Sequence, residues 1–127
     1  MAEAPKISAI GQIAITVKDL DRAIAFYRDS LGLKFLFRAP PALAFFDCNG
    51  VRMLDIPEDK QFDHPSSVIY FKVADIQDSF VKLEQNRVEI VHKPHKIAEM
   101  PDHDLWMGFF RDTEGNTLSL MSEVKRG

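Results

Sequence analysis

Gln12-Ile13-Ala14-Ile15-Thr16-Val17-Lys18-Asp19-Leu20 aligns with Val68-Ile69-Tyr70-Phe71-Lys72-Val73-Ala74-Asp75-Ile76 at a constant offset of 56. In each copy an alternating apolar segment runs into an aspartate, and the pattern then changes from period 2 to helical spacing. A repeat of this length is one supersecondary unit that cannot bury its apolar face alone, so the two copies must pack together. The closing segments repeat as well. Phe46-Asp47-x-x-Gly50 and Arg111-Asp112-x-x-Gly115 share their Asp and Gly at an offset of 65. The repeat therefore constrains the fold more than any other feature of the chain.

Within the first copy, Ile13, Ile15 and Val17 alternate with Gln12, Ala14 and Thr16, which predicts a strand with one face on helices and the other lining something less apolar. Asp19 or Asp21 can cap the helix that follows, because a short carboxylate accepts from the free N–H groups of the first turn. Leu20, Ile24, Tyr27 and Leu31 recur at helical spacing and Gly32 supplies a left-handed stop. Strands follow over 34–38 and 42–47, separated by Pro40-Pro41. The Asn49-Gly50 turn then leads into a strand over 51–56, since both positions tolerate positive φ.

The second copy predicts a strand over 68–73, an Asp75-capped helix marked by Ile76, Phe80 and Leu83, and a strand beginning at Val88. Residues 98–104 read as a polar loop, 105–110 as a strand, Glu114-Gly115 as a turn and 117–121 as the last strand. The fold class is α+β: two tandem βαβββ modules, about 7–57 and 67–123, joined by a polar linker at about 58–66, in one domain over 1–127. The faces turned away from the helices would curve around a cleft.

Composition excludes several classes. The 127-residue chain carries a net charge of −3 with Lys and Arg scattered along it, which argues against a nucleic-acid footprint. No run approaches the roughly 20 apolar residues of a membrane span. A lone cysteine rules out an internal disulfide framework and suits a reducing cytoplasm. Cys48 has no adjacent His, Lys or Arg, and reads as structural.

Two segments resemble the vicinal oxygen chelate superfamily, which includes glyoxalase I, bleomycin-resistance proteins and extradiol dioxygenases. They are Ile-x-x-x-Val-x-Asp-Leu-x-x-Ala-x-x-Phe-Tyr-x-x-x-Leu-Gly-Leu over Ile13–Leu33 and Phe-x-Asp-x-x-Gly-Asn-x-Leu-x-Leu over Phe110–Leu120. The resemblance implies the βαβββ-repeat fold and a homodimer that builds its clefts between modules. It also implies a divalent ion such as nickel, zinc, manganese or iron, held by one His, Glu or Gln from each of four strands. Those four places fall on Gln12, Leu54, Val68 and Ser119. Only Gln12 offers the donor such metals need. Asp55, one residue from its ligand place, would join Gln12 if its strand carried a bulge. The expectation is a chain without the superfamily's usual metal site.

Other side chains are candidates for contact with a small organic ligand. Tyr70 shares the cleft-face parity of Gln12, and Arg52 that of Leu54. Arg52 is placed either to meet a ligand carboxylate or phosphate, or to pair with an acidic cross-strand neighbour. Trp106 and Met107 open a strand where they would either stack on a flat ligand or fill the core. His92 and His103 are candidate acids or bases. His92 and His95 would lie on opposite faces of a regular strand, converging only if Pro94 twists it. His64 reads as a solvated linker residue. The functional alternatives are an enzyme of the lyase, isomerase or dioxygenase-like kind, a metal-free module that sequesters a drug or metabolite, and a dimer with no cleft ligand.

Overall fold

The computed structural model describes residues 10, 12–57 and 67–126. The expected linker and His64 lie outside them. Module 1 comprises strands β1 (Gln12–Val17), β2 (Lys34–Ala39), β3 (Leu43–Cys48) and β4 (Val51–Pro57), with helix α1 (Leu20–Ala25) after β1. Module 2 comprises β5 (Ile69–Lys72), α2 (Ile76–Gln85), β6 (Glu89–Glu99), β7 (His103–Arg111) and β8 (Thr117–Lys125). The two sheets have matching strand orders, β1-β4-β3-β2 and β5-β8-β7-β6. In each, the first strand runs parallel to the last and the remaining neighbours are antiparallel. The repeat in the sequence is a repeat in topology.

The expected caps form. Asp19 and Asp75 are extended, and each carboxylate accepts from the backbone N–H three residues on, at 3.1 and 3.0 Å. Asp21 instead pairs with Arg38. The first helix is not one regular helix: from Phe26 to Ser30 it widens into a π-helical turn, closed by the Leu31 N–H on the Phe26 carbonyl. Gly32 then takes φ 73°, and Asn49 and Gly50 take φ 50° and 89°.

Ile15, Val17, Ala44, Phe46 and Met53 from sheet 1 join Phe110, Leu118 and Leu120 from sheet 2, and helical Ile24, Tyr27, Phe80 and Leu83, in one contiguous core. Gly108 lets α2 sit close. A Cβ built there would fall 2.3 Å from Cζ of Phe80, so only glycine leaves room for the ring.

One sequence expectation for module 2 needs correction. The predicted loop over 98–104 shortens to 100–102, because β6 runs on to Glu99 and β7 starts at His103. Pro94 stands inside β6 without breaking it, since β6 is an edge strand and its missing N–H costs no ladder bond on the open side.

The modules meet through the β7–β8 turn. Asp112 accepts from the Tyr27 hydroxyl at 2.7 Å, from the backbone N–H groups of Glu114 and Asn116, each at 2.8 Å, and from the Asn116 side chain at 2.8 Å. Glu114 accepts from the backbone N–H groups of Lys18 and Asp19, both at 2.7 Å, and from the Arg22 guanidinium at 2.7 and 3.2 Å. Asn116 also donates to the Thr16 carbonyl at 2.9 Å. Burial alone would raise the pKa of Glu114, but these donors outweigh it and hold the group at about 2.

Candidate functional site

Cross-strand partners share a sheet face, so the register fixes which side chains lie together away from the helices. On sheet 1 one row across that open face runs Lys34, Asp47, Arg52, Gln12, and the next runs Phe37, Phe45 and Ala14, with Leu54 at the backbone register position between the last two. On sheet 2 the open face carries Tyr70, Ser119, Phe109 and His92 in one row, and Met121, Met107 and His95 in another. Val68 precedes β5 with the parity of Tyr70. The open faces hold exposed apolar groups: Phe37 is 44%, Val68 41% and Tyr70 48% exposed.

The four places of the expected metal set thus lie two to a sheet: Gln12 and Leu54 on sheet 1, Val68 and Ser119 on sheet 2. Their chemistry does not fit a divalent ion. Leucine and valine have no donor atom. Ser119 is fully buried, and its hydroxyl lies 2.8 Å from the Gly108 carbonyl and 3.2 Å from that of Leu120. That leaves one carboxamide, where divalent metals need several donors. Among the described residues no three His, Cys, Asp or Glu converge as a metal-binding group.

Asp55 does not supply the missing ligand. Its strand pairs without a register shift against both β1 and β3, and Asp55 sits opposite Ile15 and Ala44 on the helix-facing side. The bulge that would have turned it toward Gln12 is absent from that register. Both carboxylate oxygens are buried and have no hydrogen-bond partner among the described residues. Burial, then the charges of Asp112 and Glu114, push its pKa up to about 7.

Trp106 also faces away from the open surface. It pairs with Ser122, has the parity of Gly108 and Phe110, and packs against the core.

Arg52 does not pair with its cross-strand neighbour. Asp47 accepts instead from the Gly50 N–H at 3.3 Å, and the guanidinium leans over the next row, 5.6 Å from the centroid of Phe45 and 5.9 Å from that of Phe37. Those two rings stack at 4.8 Å.

The histidines separate into two groups. Four residues of β6, from His92 to His95, oppose only three of β7, from Phe109 to Met107, and this irregularity brings both histidines to the open face. Only the register reveals this, because bulge positions leave no period in the sequence. His92 lies edge-on to Phe109 at 6.3 Å, and Phe109 lies edge-on to Tyr70 at 6.0 Å. His103 has the same parity but stands six residues from Phe109 along β7, about 20 Å away. There its Nδ1 is 2.7 Å from Asp102.

A separate cavity of about 460 Å³ opens between the modules on the helix side, lined by Leu31, Leu33, Cys48, Phe71, Val73 and Leu83 among others. The Cys48 thiol is raised by burial and then by Asp47, which leaves it protonated and unreactive at neutral pH.

Comparison with known proteins settles the family. The sequence model of the Glyoxalase/Bleomycin resistance protein/Dioxygenase superfamily matches residues 9–120. The chain belongs to that superfamily. It is 26% identical over 124 residues to the uncharacterised protein YraH of Bacillus subtilis, covering 86% of this chain and 94% of YraH. In fold it matches a lactoylglutathione lyase from Agrobacterium tumefaciens, with a TM-score of 0.74 and 24% identity over 91% of this chain and 94% of the other. It also matches TnmS3, an antibiotic-binding protein from Streptomyces sp. CB03234, with a TM-score of 0.73 and 17% identity over 94% and 99% of the two chains. Both likenesses are of fold. No helix among the described residues is long and apolar enough to cross a membrane.

Proposed function

We propose that this superfamily member is a metal-independent, cytoplasmic protein that binds a small organic molecule on the open sheet faces and works as a homodimer. The observation that carries the reading is the donor set: of the four places where the superfamily's metal ligands would stand, one is a carboxamide, two are hydrocarbon and one is a buried, hydrogen-bonded serine. Gln12, Arg52, Leu54, Val68 and Tyr70 then serve as ligand contacts, with Ser119 supporting Tyr70 from the neighbouring strand. Apolar side chains in place of ligands favour contact with an apolar or flat body. That an antibiotic-binding protein shares the fold is consistent with sequestration.

The dimer is supported by the exposure of Phe37, Val68 and Tyr70, since a second copy set opposite the open faces would close them into a cleft that still admits the ligand. Light scattering that returns the monomer mass at micromolar concentration would remove that part of the proposal. The test of the metal-independent reading is elemental mass spectrometry on protein purified without chelators, with Gln12→Ala beside it. No metal above background is expected in either. Near-stoichiometric metal that falls in the variant would overturn the reading.

A second reading, an enzyme without metal, is favoured by one feature: the β6 irregularity that brings His92 and His95 onto the face carrying Tyr70. A general base must reach the substrate proton, and an imidazole changes charge near neutrality. Ligands found by a thermal-shift screen would be followed for turnover. Product formation lost in His92→Gln supports an enzyme, whereas unchanged ligand recovered after long incubation supports a binder.

A further inference from the structure

Arg52 stands in a row with Lys34 and Asp47, two cations flanking one carboxylate, on the open face of a protein whose net charge is −3. Asp47 turns to the Asn49-Gly50 turn and makes no ion pair with either neighbour. Among the described residues Arg52, like Arg87, has no ion pair, although Arg22, Arg28, Arg38, Arg111 and Arg126 each have one. Its guanidinium lies instead over two stacked rings, at 5.6 and 5.9 Å. Rings hold a guanidinium by its face and leave the in-plane N–H fork free, in the orientation that meets a carboxylate with two parallel hydrogen bonds. A lysine ammonium is also attracted to a ring face, but it has no planar fork to present to a carboxylate. The rings themselves remain partly open, Phe37 by 44%.

The geometry points to a carboxylate-recognition site on sheet 1: a planar organic anion of the aryl-carboxylate class sets its acid group against the Arg52 fork and its flat body along Phe37 and Phe45. This rests on the reading of the open faces as the ligand surface and names the class of ligand that surface selects. Rings and cation act on different parts of one molecule, so neither a neutral aromatic nor a small inorganic anion uses the whole site. Lys34 supplies long-range attraction that offsets the charge of Asp47, and Gln12, directly across from Arg52 on β1, adds no second negative charge to the row.

The test titrates the whole protein with 1-naphthoate and, separately, with its neutral isostere 1-naphthamide, following amide and arginine side-chain NMR signals. Naphthoate is expected to bind about tenfold or more tightly than the amide, as one added charge-assisted contact implies. Its shifts should centre on Arg52, Phe37 and Phe45. In Arg52→Gln, an exposed change that leaves the core intact, the preference for naphthoate over the amide should be lost. Arg52→Lys should recover only part of the preference, because it restores charge without the planar fork. Equal binding of the two probes, or a preference that survives in Arg52→Gln, overturns the carboxylate assignment and leaves ligand binding on the open face standing. Failure of naphthoate to bind at millimolar concentration also overturns it. Binding of either probe mapped only to the helix-side cavity at Cys48 and Leu83 would instead count against the open-face reading itself.

Discussion

Asp47 and Asp112 occupy the same place in the two repeats, each ahead of a glycine with nearly the same φ, 89° at Gly50 and 86° at Gly115. Asp47 accepts one bond, from the Gly50 N–H at 3.3 Å, while Asp112 accepts four and is buried. The turn asks only for an Asx-type acceptor and a residue that tolerates positive φ, and both copies provide these. What differs is where the turn ends up: one at an exposed hairpin, the other docked against the first module's helix. There Tyr27 and Asn116 complete the coordination of the carboxylate, and Glu114 takes the backbone donors at the start of α1. A repeated motif can thus be local chemistry in one copy and the joint of the molecule in the other.

The sharpest way to break that comparison is Asp112→Ala. It strips the Tyr27 hydroxyl, two backbone N–H groups and the Asn116 amide of their acceptor, and should cost about 3–5 kcal/mol in urea unfolding. A loss no larger than that of Asp47→Ala would show that the two turns are energetically alike.

Asp55 extends the comparison to a buried carboxylate with no hydrogen-bond donor among the described residues. Its pKa is about 7 in the fold and 3.8 without it, so between those values the folded state holds a proton that the unfolded chain has lost. Its contribution is therefore greatest below pH 4, declines as pH rises through neutrality and flattens above pH 7. Asp55→Asn should remove that decline and be more stable than the parent at pH 8, by about 2–3 kcal/mol. Thermal melts from pH 5 to 8 give the answer, and parallel slopes for the two proteins would refute it.

Glu114 titrates in the opposite sense. Held at about 2 against an ordinary 4.5, it contributes stability above pH 4.5 that is lost as pH falls toward 2. Glu114→Gln should flatten that acid limb and cost about 1–2 kcal/mol at pH 7, a modest figure because Arg22 is half exposed and its pairing is screened. An acid limb unchanged in the variant would place the titration elsewhere. The smallest effect belongs to Asp47→Ala, under about 1 kcal/mol, since one long exposed hydrogen bond is lost.

Legibility in the sequence followed the range of the physics. The Asp19 and Asp75 caps, the Gly32 stop and the Asn49-Gly50 turn depend on neighbours within four residues, and all were readable. Trp106 was ambiguous because an aromatic at a strand start has the same composition whichever face it takes. The pair His92 and His95 was readable only as alternatives, since one unpaired residue in β6 reverses their relation. Arg52 had two cross-strand partners open to it, acid or ligand, and the structure offered a third arrangement: rings one row away.

By itself the sequence determined two copies of a βαβββ unit and their caps and turns. Those follow from residue identity and from periods of 2 and 3.6, which short windows contain. Only the tertiary structure decided that Asp112 rather than Asp47 joins the modules, that Asp55 is buried with no hydrogen-bond partner among the described residues, and that Arg52 rests on Phe37 and Phe45. Each of these depends on strand register or on contacts between residues up to some 100 positions apart, such as Asn116 with Thr16. Register and docking are settled by which packed arrangement buries the apolar faces of both modules at once, and no local window holds both.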